Sequence, residues 1–210
     1  MALTKITGEG VGSLDAITIG DGTAADKKIL FDGNAQDYHI GLDDSSDSLT
    51  IGLGSTLGTT SHMVIDASGR VTKPLQPCFS ATADTTNIPL ATQTTIALSG
   101  ERFDVGNNLD ANTFTAPITG KYLFTYMFYF AEVDADHTSL DVHIKTSNKQ
   151  YQQTFSPDHF LNSDSLFSVS GSVLADMDAS DTCFFTVRVA GGAAQTDIHT
   201  DSHVSGVLIC

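Results

Sequence analysis

Hydrophobic and polar positions alternate most clearly in the stretch NTFTAPITGKYLFTYMFYF, residues 112–130. If residues 120–131 form a strand, successive side chains point to opposite sides. One side then carries five aromatic residues: Tyr122, Phe124, Tyr126, Phe128 and Phe130. The other side carries Leu123, Thr125, Met127 and Tyr129. A two-layer protein needs one apolar side per strand, so the second side must be covered either within the same chain or by another chain. The aromatic side suits a sandwich interior better, and the pattern leaves both assignments open.

The rest of the chain is predicted to be all-β. No window shows a helical period, and Gly, Asp, Ser and Thr interrupt the hydrophobic segments about every eight to twelve residues. Short strands are expected at residues 16–19, 28–31, 38–42, 49–53 and 63–65. Longer strands are expected at residues 78–81, 95–97, 114–115, 120–131, 140–147, 150–155, 166–174, 182–189 and 204–210. About eight or nine strands of the second kind indicate a sandwich or jelly roll.

Two prolines, Pro74 and Pro77, separate these groups of strands and divide the chain into residues 1–74 and residues 75–210. Phe31 and Tyr38 are the only aromatic residues before position 79. A segment of this size with so few large side chains buries too little surface to fold unaided. We therefore expect residues 1–74 to form a small β stalk or docking module whose core is completed by identical copies.

Composition restricts the partners. The net charge is −15 at pH 7, with only ten Lys and Arg in 210 residues. Nucleic-acid binding needs clustered basic residues, so no nucleic-acid partner is expected. No stretch approaches the roughly 18 apolar residues of a membrane span, and no signal-peptide core is present, so no membrane insertion is expected. Cys78, Cys183 and Cys210 match no zinc or redox spacing and are expected to be reduced.

One candidate metal site stands out. Asp197, His199, Asp201 and His203 occupy alternate positions in TDIHTDSHV. In an extended chain all four side chains would lie on one side, with neighbours about 7 Å apart. Imidazole and carboxylate together suit zinc, nickel or iron. The alternative is a polar loop before the last strand, with its charged residues facing water. The sequence requires no cofactor.

Three segments, in this order, resemble the globular head of complement component one q. The first runs from Phe103 to FTAPITGKYLF at 114–124, the second joins LADMD at 174–178 to CFFTV at 183–187, and the third is VSGVLI at 204–209. This family shares its jelly roll with tumour necrosis factor, so the resemblance implies a jelly-roll β-sandwich over residues 75–210. Its heads are trimers, which implies a homotrimer in which one side of strand 120–131 packs on neighbours around a threefold axis. A histidine near that axis would then supply three converging metal ligands. The resemblance also implies calcium as an alternative ion at Asp197, His199, Asp201 and His203.

The segment ITIGDGTAADKKILFDGNAQDYHIGLDDSSDSLTIGLGSTLGTT is similar to a second class of module. Such modules occur in virion structural and tail-fibre proteins of tailed bacteriophages, especially marine cyanobacterial ones, where they precede host-contacting heads. The resemblance covers about residues 14–73. It implies a trimerisation or docking role for residues 1–74 toward other virion proteins, and a place on the virion surface after assembly in the host cytoplasm.

Together the resemblances imply a trimeric tail-fibre or surface-fibre subunit whose head binds a glycan or protein on the host surface. Contact is expected at polar loops, with Asp134, Asp136, His137 and His159 as candidates. The Asp134–Asp136 carboxylates are also candidate calcium ligands, and a solvated turn is the alternative for EVDADH.

Two other functions stay open at this point. The shortness of the chain favours a capsid-decorating or cementing protein. A glycan depolymerase would need paired carboxylates from separate strands. No motif for a nucleophile, a zinc protease or a phosphate loop is present, so we predict that the protein is not an enzyme.

Overall fold

The computed structural model describes residues 15–210, which form two compact units. The first unit ends at Pro74 and the second is Leu75–Cys210. In this part of the chain the one helical element is a 3₁₀ turn, Pro157–His159, and no helix is long and apolar enough to cross a membrane. The all-β prediction is confirmed.

The first unit is a meander of five antiparallel strands, called sheet I, in which each strand pairs with the next in sequence. Its strands are β1 (Lys27–Phe31), β2 (Tyr38–Asp43), β3 (Ser48–Leu53), β4 (Ser61–Ile65) and β5 (Val71–Thr72). The prediction of a strand at 16–19 is wrong, since these residues are exposed and form no strand. Their β-branched side chains favour an extended backbone, but a strand also requires a hydrogen-bonding partner.

The second unit, which we call the head, contains eleven strands. They are β6 (Cys78–Thr85), β7 (Thr94–Thr95), β8 (Leu98–Val105), β9 (Leu109–Asp110), β10 (Thr113–Thr115), β11 (Gly120–Val133), β12 (His137–Thr146), β13 (Gln150–Phe155), β14 (Ser165–Met177), β15 (Thr182–Gly191) and β16 (Asp197–Leu208). Sheet II has the order β13-β12-β15-β10-β9, with β7 also paired to β15. Sheet III has the order β14-β11-β16-β6-β8. The two antiparallel sheets form the expected jelly-roll sandwich.

The core of the head lies between sheets II and III. The five aromatic side chains on one side of β11 point into it, and each is at most 5% exposed. Their rings pack with aromatic residues of other strands: the ring centroids of Phe114 and Tyr122 are 5.5 Å apart, and those of Phe128 and Phe185 are 6.3 Å apart. Burial of such rings is a large stabilising contribution. The opposite side of β11 therefore faces away from the core, on the outer side of sheet III.

Two parts of the head differ from the sequence-based expectation. β8 was not predicted, because its sequence LSGERFDV contains a glycine and three charges that hide its period, and it lies at the edge of sheet III. β16 begins at Asp197 rather than at 204. Its polar residues face outward while Ile198, Ser202 and Val204 are buried, so the segment expected as a polar loop is a strand.

Candidate interaction surfaces of the head

The outer side of sheet III, which we call the outer face, carries apolar and hydroxyl side chains at its centre, and the ion pair of Lys121 with Asp176 lies at one margin. Three rows of cross-strand neighbours, each spanning all five strands, form its centre. The first row is Leu174, Leu123, Val207, Cys78 and Val105. The second row is Ser172, Thr125, Ser205, Ser80 and Phe103. The third row is Ser170, Met127, His203, Thr82 and Gly100.

None of these positions carries Asp, Glu, Lys or Arg. Leu174 is 57% exposed, Phe103 51% and Met127 38%. Within the second row, the side-chain hydroxyl groups of Thr125 and Ser205 form a 2.7 Å hydrogen bond. A surface with large exposed apolar groups and no charge suits packing against another protein surface rather than a charged ligand.

The residues predicted for the trimer or core strand divide between the two sides of β11. Leu123, Met127 and Tyr129 lie on the outer face, whereas the five aromatic residues listed above for the core cannot reach a neighbouring chain. Tyr129 packs edge-to-face on His199 of β16, with ring centroids 5.3 Å apart. Sequence reasoning missed Leu174 and Phe103, whose strands contribute to the same face. Along β14 the available signal was the alternation of Ser168, Ser170 and Ser172 with Phe167, Val169 and Gly171, which places Leu174 on the same side as the serines.

The four predicted metal-ligand residues lie in the first half of β16, where strand pairing is irregular. Between Ile198 and His203, four residues of β16 face only two of β11. The prediction that alternate side chains here are regularly spaced along one side of the strand is therefore wrong. The Asp197 carboxylate accepts a 2.6 Å hydrogen bond from the Asn87 backbone N–H. Nδ1 of His199 lies 3.3 Å from Oδ2 of Asp201.

Within one chain these groups make no complete metal site. Residues 15–210 contain no group of three or more His, Cys, Asp or Glu side chains able to hold a metal ion. His203 lies between Met127 and Thr82 on the outer face, away from a second ligand. A metal ion here would need ligands from other chains, and the shared site therefore stays a prediction.

Two of the predicted receptor contacts, Asp134 and His137, are buried, and this corrects their expected role. The Asp134 carboxylate accepts hydrogen bonds from the backbone N–H groups of Asp136, at 2.8 Å, and Ala193. These two bonds hold the pKa of Asp134 below its ordinary value. Nδ1 of His137 lies 2.8 Å from the Gly191 carbonyl oxygen, to which it must donate. Both side chains therefore fix the loops between β11 and β12 and between β15 and β16 rather than meet a ligand.

The exposed polar groups at this end of the sandwich are different ones. Asp136 and His159 are exposed, so they remain available for contact. Asp164 and Gln195, which sequence reasoning missed, join three loops: Gln195 Nε2 donates to Asp164 at 2.7 Å, and Asp164 accepts from the Ala135 backbone N–H at 3.1 Å. We call residues 134–136, 158–164 and 192–196 the loop end of the head.

Comparison with known proteins identifies the family of the head. The model of the C1q domain family matches residues 78–209, more than half of the chain. No match is found among curated protein sequences.

Solved structures with similar folds include three heads of comparable size. The globular domain of zebrafish complement 1qA protein is 17% identical, with a TM-score of 0.48, and the match covers 64% of this chain and 98% of that one. Murine APRIL is 12% identical, with a TM-score of 0.46, and the match covers 64% and 99%. The vertex protein P5 of PRD1 is 13% identical, with a TM-score of 0.44, and the match covers 65% and 99%. On the match over residues 78–209, the chain belongs to the C1q domain family.

Proposed function

We propose that the protein is a non-enzymatic virion structural protein, a homotrimeric tail-fibre or surface-fibre subunit of a bacteriophage whose head contacts the host surface. The observation that carries the proposal is the uncharged centre of the outer face of sheet III, with its exposed apolar side chains, on a domain of the C1q/TNF-like class. Domains of this class commonly form homotrimers. They serve structural or signalling roles rather than enzymatic ones.

The outer face supports the trimer on physical grounds. Apolar surface gains roughly 25 cal/mol for each Å² removed from water. Leu123 and Met127 lie near the middle of that face and Leu174 on its edge strand, and none has a cover within the described residues. In a trimer these side chains would meet neighbouring heads, and the hydroxyl rows would pair across the contact.

The loop end supports host contact. Loops held by a rigid sandwich are where binding residues concentrate, and here Asp134, His137 and Asp164 hold the backbone in place. Asp136 and His159 are exposed there and offer polar groups to a glycan or protein. Three copies in one trimer would raise the effective affinity of a weak contact.

The N-terminal unit supports placement on a virion. The segment of residues 14–73 is similar to modules of phage virion and tail-fibre proteins, and the head follows it after the five residues 73–77. We assign residues 1–74 the role of docking and trimerisation, with other virion proteins as partners, and residues 75–210 the role of the outward-facing head.

The test is to locate the protein on particles. Antibodies raised against the full chain are used for immunogold labelling of the phage that carries it, and for blocking adsorption to its host. Labelling of tail or surface fibres together with blocked adsorption is the expected result.

The alternative outcomes separate the competing functions. Gold over the capsid with normal adsorption identifies a decorating or cementing protein instead. Absence of the protein from purified particles would contradict both the fibre function and the decorating or cementing function. A non-immune antibody of the same class is the control.

A further inference from the structure

One side of sheet I is almost entirely apolar and faces water. It consists of three cross-strand rows, which together we call the N-terminal apolar face. The central row is Ile29, Ile40, Ile51 and Met63. The flanking rows are Lys27, Leu42, Leu49, Ile65 and Val71 on one side, and Phe31, Tyr38 and Leu53 on the other.

The exposure of this face is unusual for a β-sheet. Its eight most exposed apolar side chains are each between 37% and 55% exposed. Together such side chains present on the order of 700 Å² of apolar surface, more than the roughly 300–600 Å² of the largest patch on an ordinary monomer. That area is close to the about 800 Å² that each partner contributes to a standard protein interface.

On the opposite side of sheet I, the residues of β2 and β3 are small or polar and already covered. His39, Gly41 and Asp43 of β2 alternate with the apolar residues and are buried, as are Ser48 and Thr50 of β3. The segment of residues 54–60 packs over this side.

The contacts of that segment are specific. His39 Nδ1 lies 2.8 Å from the Gly54 carbonyl oxygen, and a Cβ added at Gly58 would stand 2.7 Å from Asp43. In the folded chain the segment of residues 54–60 therefore covers the polar side of sheet I, and the apolar side remains open to another protein surface.

The chemistry of the face identifies that occupant. Its one charged position, Lys27, lies at the margin and pairs with Asp21 at 3.1 Å, so the partner surface must be apolar and uncharged. A second copy of the same face meets this requirement over the same area.

A trimeric head would bring further copies of the N-terminal apolar face close to one another. Sheet I ends at Thr72 and the head sheet begins at Cys78, so five residues, two of them proline, connect them. A trimer of heads would hold three such faces at an effective concentration in the millimolar range.

We propose that the N-terminal apolar faces of three chains pack against one another, so that each chain completes the core of the other two. Ile40 and Ile51, in the middle of the central row, are the centre of this contact. The inference rests on the trimeric head of the proposed function for its stoichiometry, but it names a separate surface.

The test uses two methionines of the full chain as independent reporters. Met63 lies on the N-terminal apolar face, Met127 lies on the outer face of the head, and Met177 is fully buried in the core. Oxidation by dilute peroxide follows exposure of the sulfur, and mass spectrometry measures the rate at each position. We compare the native chain with Ile40→Lys, which places a charge in the centre of the face.

Leu30→Lys is the matched control. Leu30 lies on the other side of the same sheet and is 39% exposed, against 37% for Ile40, so both substitutions put lysine at a solvent-accessible strand position. We expect Met63 to oxidise several-fold faster in Ile40→Lys than in the native chain, with Met127 unchanged, and the control to match the native chain at both. Slow oxidation of Met177 in every variant shows that the head is folded, and native-like oxidation of Met63 in Leu30→Lys shows that a lysine in sheet I does not by itself unfold that sheet.

The outcomes separate this inference from the head trimer. If Met63 of the native chain oxidises as fast as in Ile40→Lys while Met127 is protected, the face is open, the inference is wrong and the head trimer stands. Fast oxidation at both positions, with the mass of a single chain in light scattering, overturns both. Within the native chain, the oxidation rate at Met63 relative to the rates at Met127 and Met177 tests the inference without any variant.

Discussion

Gly206 of β16 lies directly opposite Phe124 of β11, and the phenylalanine ring lies over the glycine. A Cβ at position 206 would stand 2.8 Å from Phe124 Cδ1 and 2.4 Å from Phe79 Cε1. Both rings are at most 1% exposed and cannot move aside without disturbing the core. The glycine is therefore required by the space that two aromatic rings occupy.

We predict that Gly206→Ala destabilises the head. Overpacking a well-filled core costs about 1–3 kcal/mol, so the urea midpoint should fall by the corresponding amount. Ser163→Ala, at an exposed loop position, is the control and should unfold like the native chain. An unchanged midpoint in Gly206→Ala would show that the rings have room to shift.

His143 is predicted to make the head less stable in mildly acidic solution. Its side chain is 3% exposed on the outer side of sheet II, and burial holds the pKa of His143 below its ordinary value of 6.5. Lys145 Nζ donates to Gln93 Oε1 at 3.1 Å, which turns the Gln93 amide nitrogen toward His143 Nδ1 at 3.2 Å. Nδ1 therefore accepts, and a proton there would break the bond, although nearby Asp141 partly favours the charged form.

The sign of the effect follows from linkage. The unfolded chain binds the proton more readily than the folded one, so this contribution to stability is present above pH 6.5 and lost as the pH falls below it. We expect a smaller loss of urea stability between neutral pH and about pH 5 in His143→Gln than in the native chain. His159→Gln, at an exposed position, should keep the native pH dependence. Equal slopes in all three proteins would contradict the assignment.

Asp134→Ala is predicted to loosen the loop end. The substitution leaves the backbone N–H groups of Asp136 and Ala193 without their acceptor, at a cost of about 1–3 kcal/mol. Since the folded pKa of Asp134 lies below 3.8, the difference from the native chain should be full above that pH and should shrink as the pH falls through the folded value. Hydrogen exchange at residues 192–196 measures the loosening, and unfolding curves at several pH values measure the difference.

Met127→Lys tests the outer face of the head. A lysine in the middle of an apolar contact must be desolvated or must separate the subunits, so the trimer should dissociate at a higher protein concentration than the native trimer does. Ile118→Lys places the same charge on an exposed loop and should have no such effect. Light scattering over a dilution series gives the mass. A single-chain mass for the native protein at every concentration would contradict the proposed homotrimer.

Chelation is predicted to leave the melting temperature of the dissociated single chain unchanged, because one chain offers at most a pair of ligands in β16 among its described residues. A fall in the melting temperature of the assembled protein with EDTA, reversed by zinc or calcium, would instead show a site shared between chains. His203→Ala should abolish that response if the site involves β16.

The sequence predicted the parts of the fold that depend on local alternation. β11 is the clearest case, since its aromatic period matches the buried side residue for residue. Prediction from the sequence failed where the contact that decides a residue's role lies far along the chain. Apart from the Asp136 backbone N–H, the partners of Asp134 and His137 lie 54 to 59 positions further along the chain, so the local sequence does not distinguish these buried groups from a solvated turn.

The first half of β16 shows a different limit. Its charged residues dominate the pattern, while the buried Ile198 and Ser202 are separated by an irregular stretch that breaks the period. An edge strand such as β8, open to water on one margin, is similarly hidden by its charges.

The strict alternation along β2 and β3 has a genetic consequence. Because side chains change sides at every residue, losing one codon inside either strand would turn the remainder of that strand over. Such a deletion in β2 would send His39 or Asp43 outward and force isoleucine under the loop of residues 54–60. We expect length in this segment to be far less tolerant of change than the identity of any single hydrophobic residue.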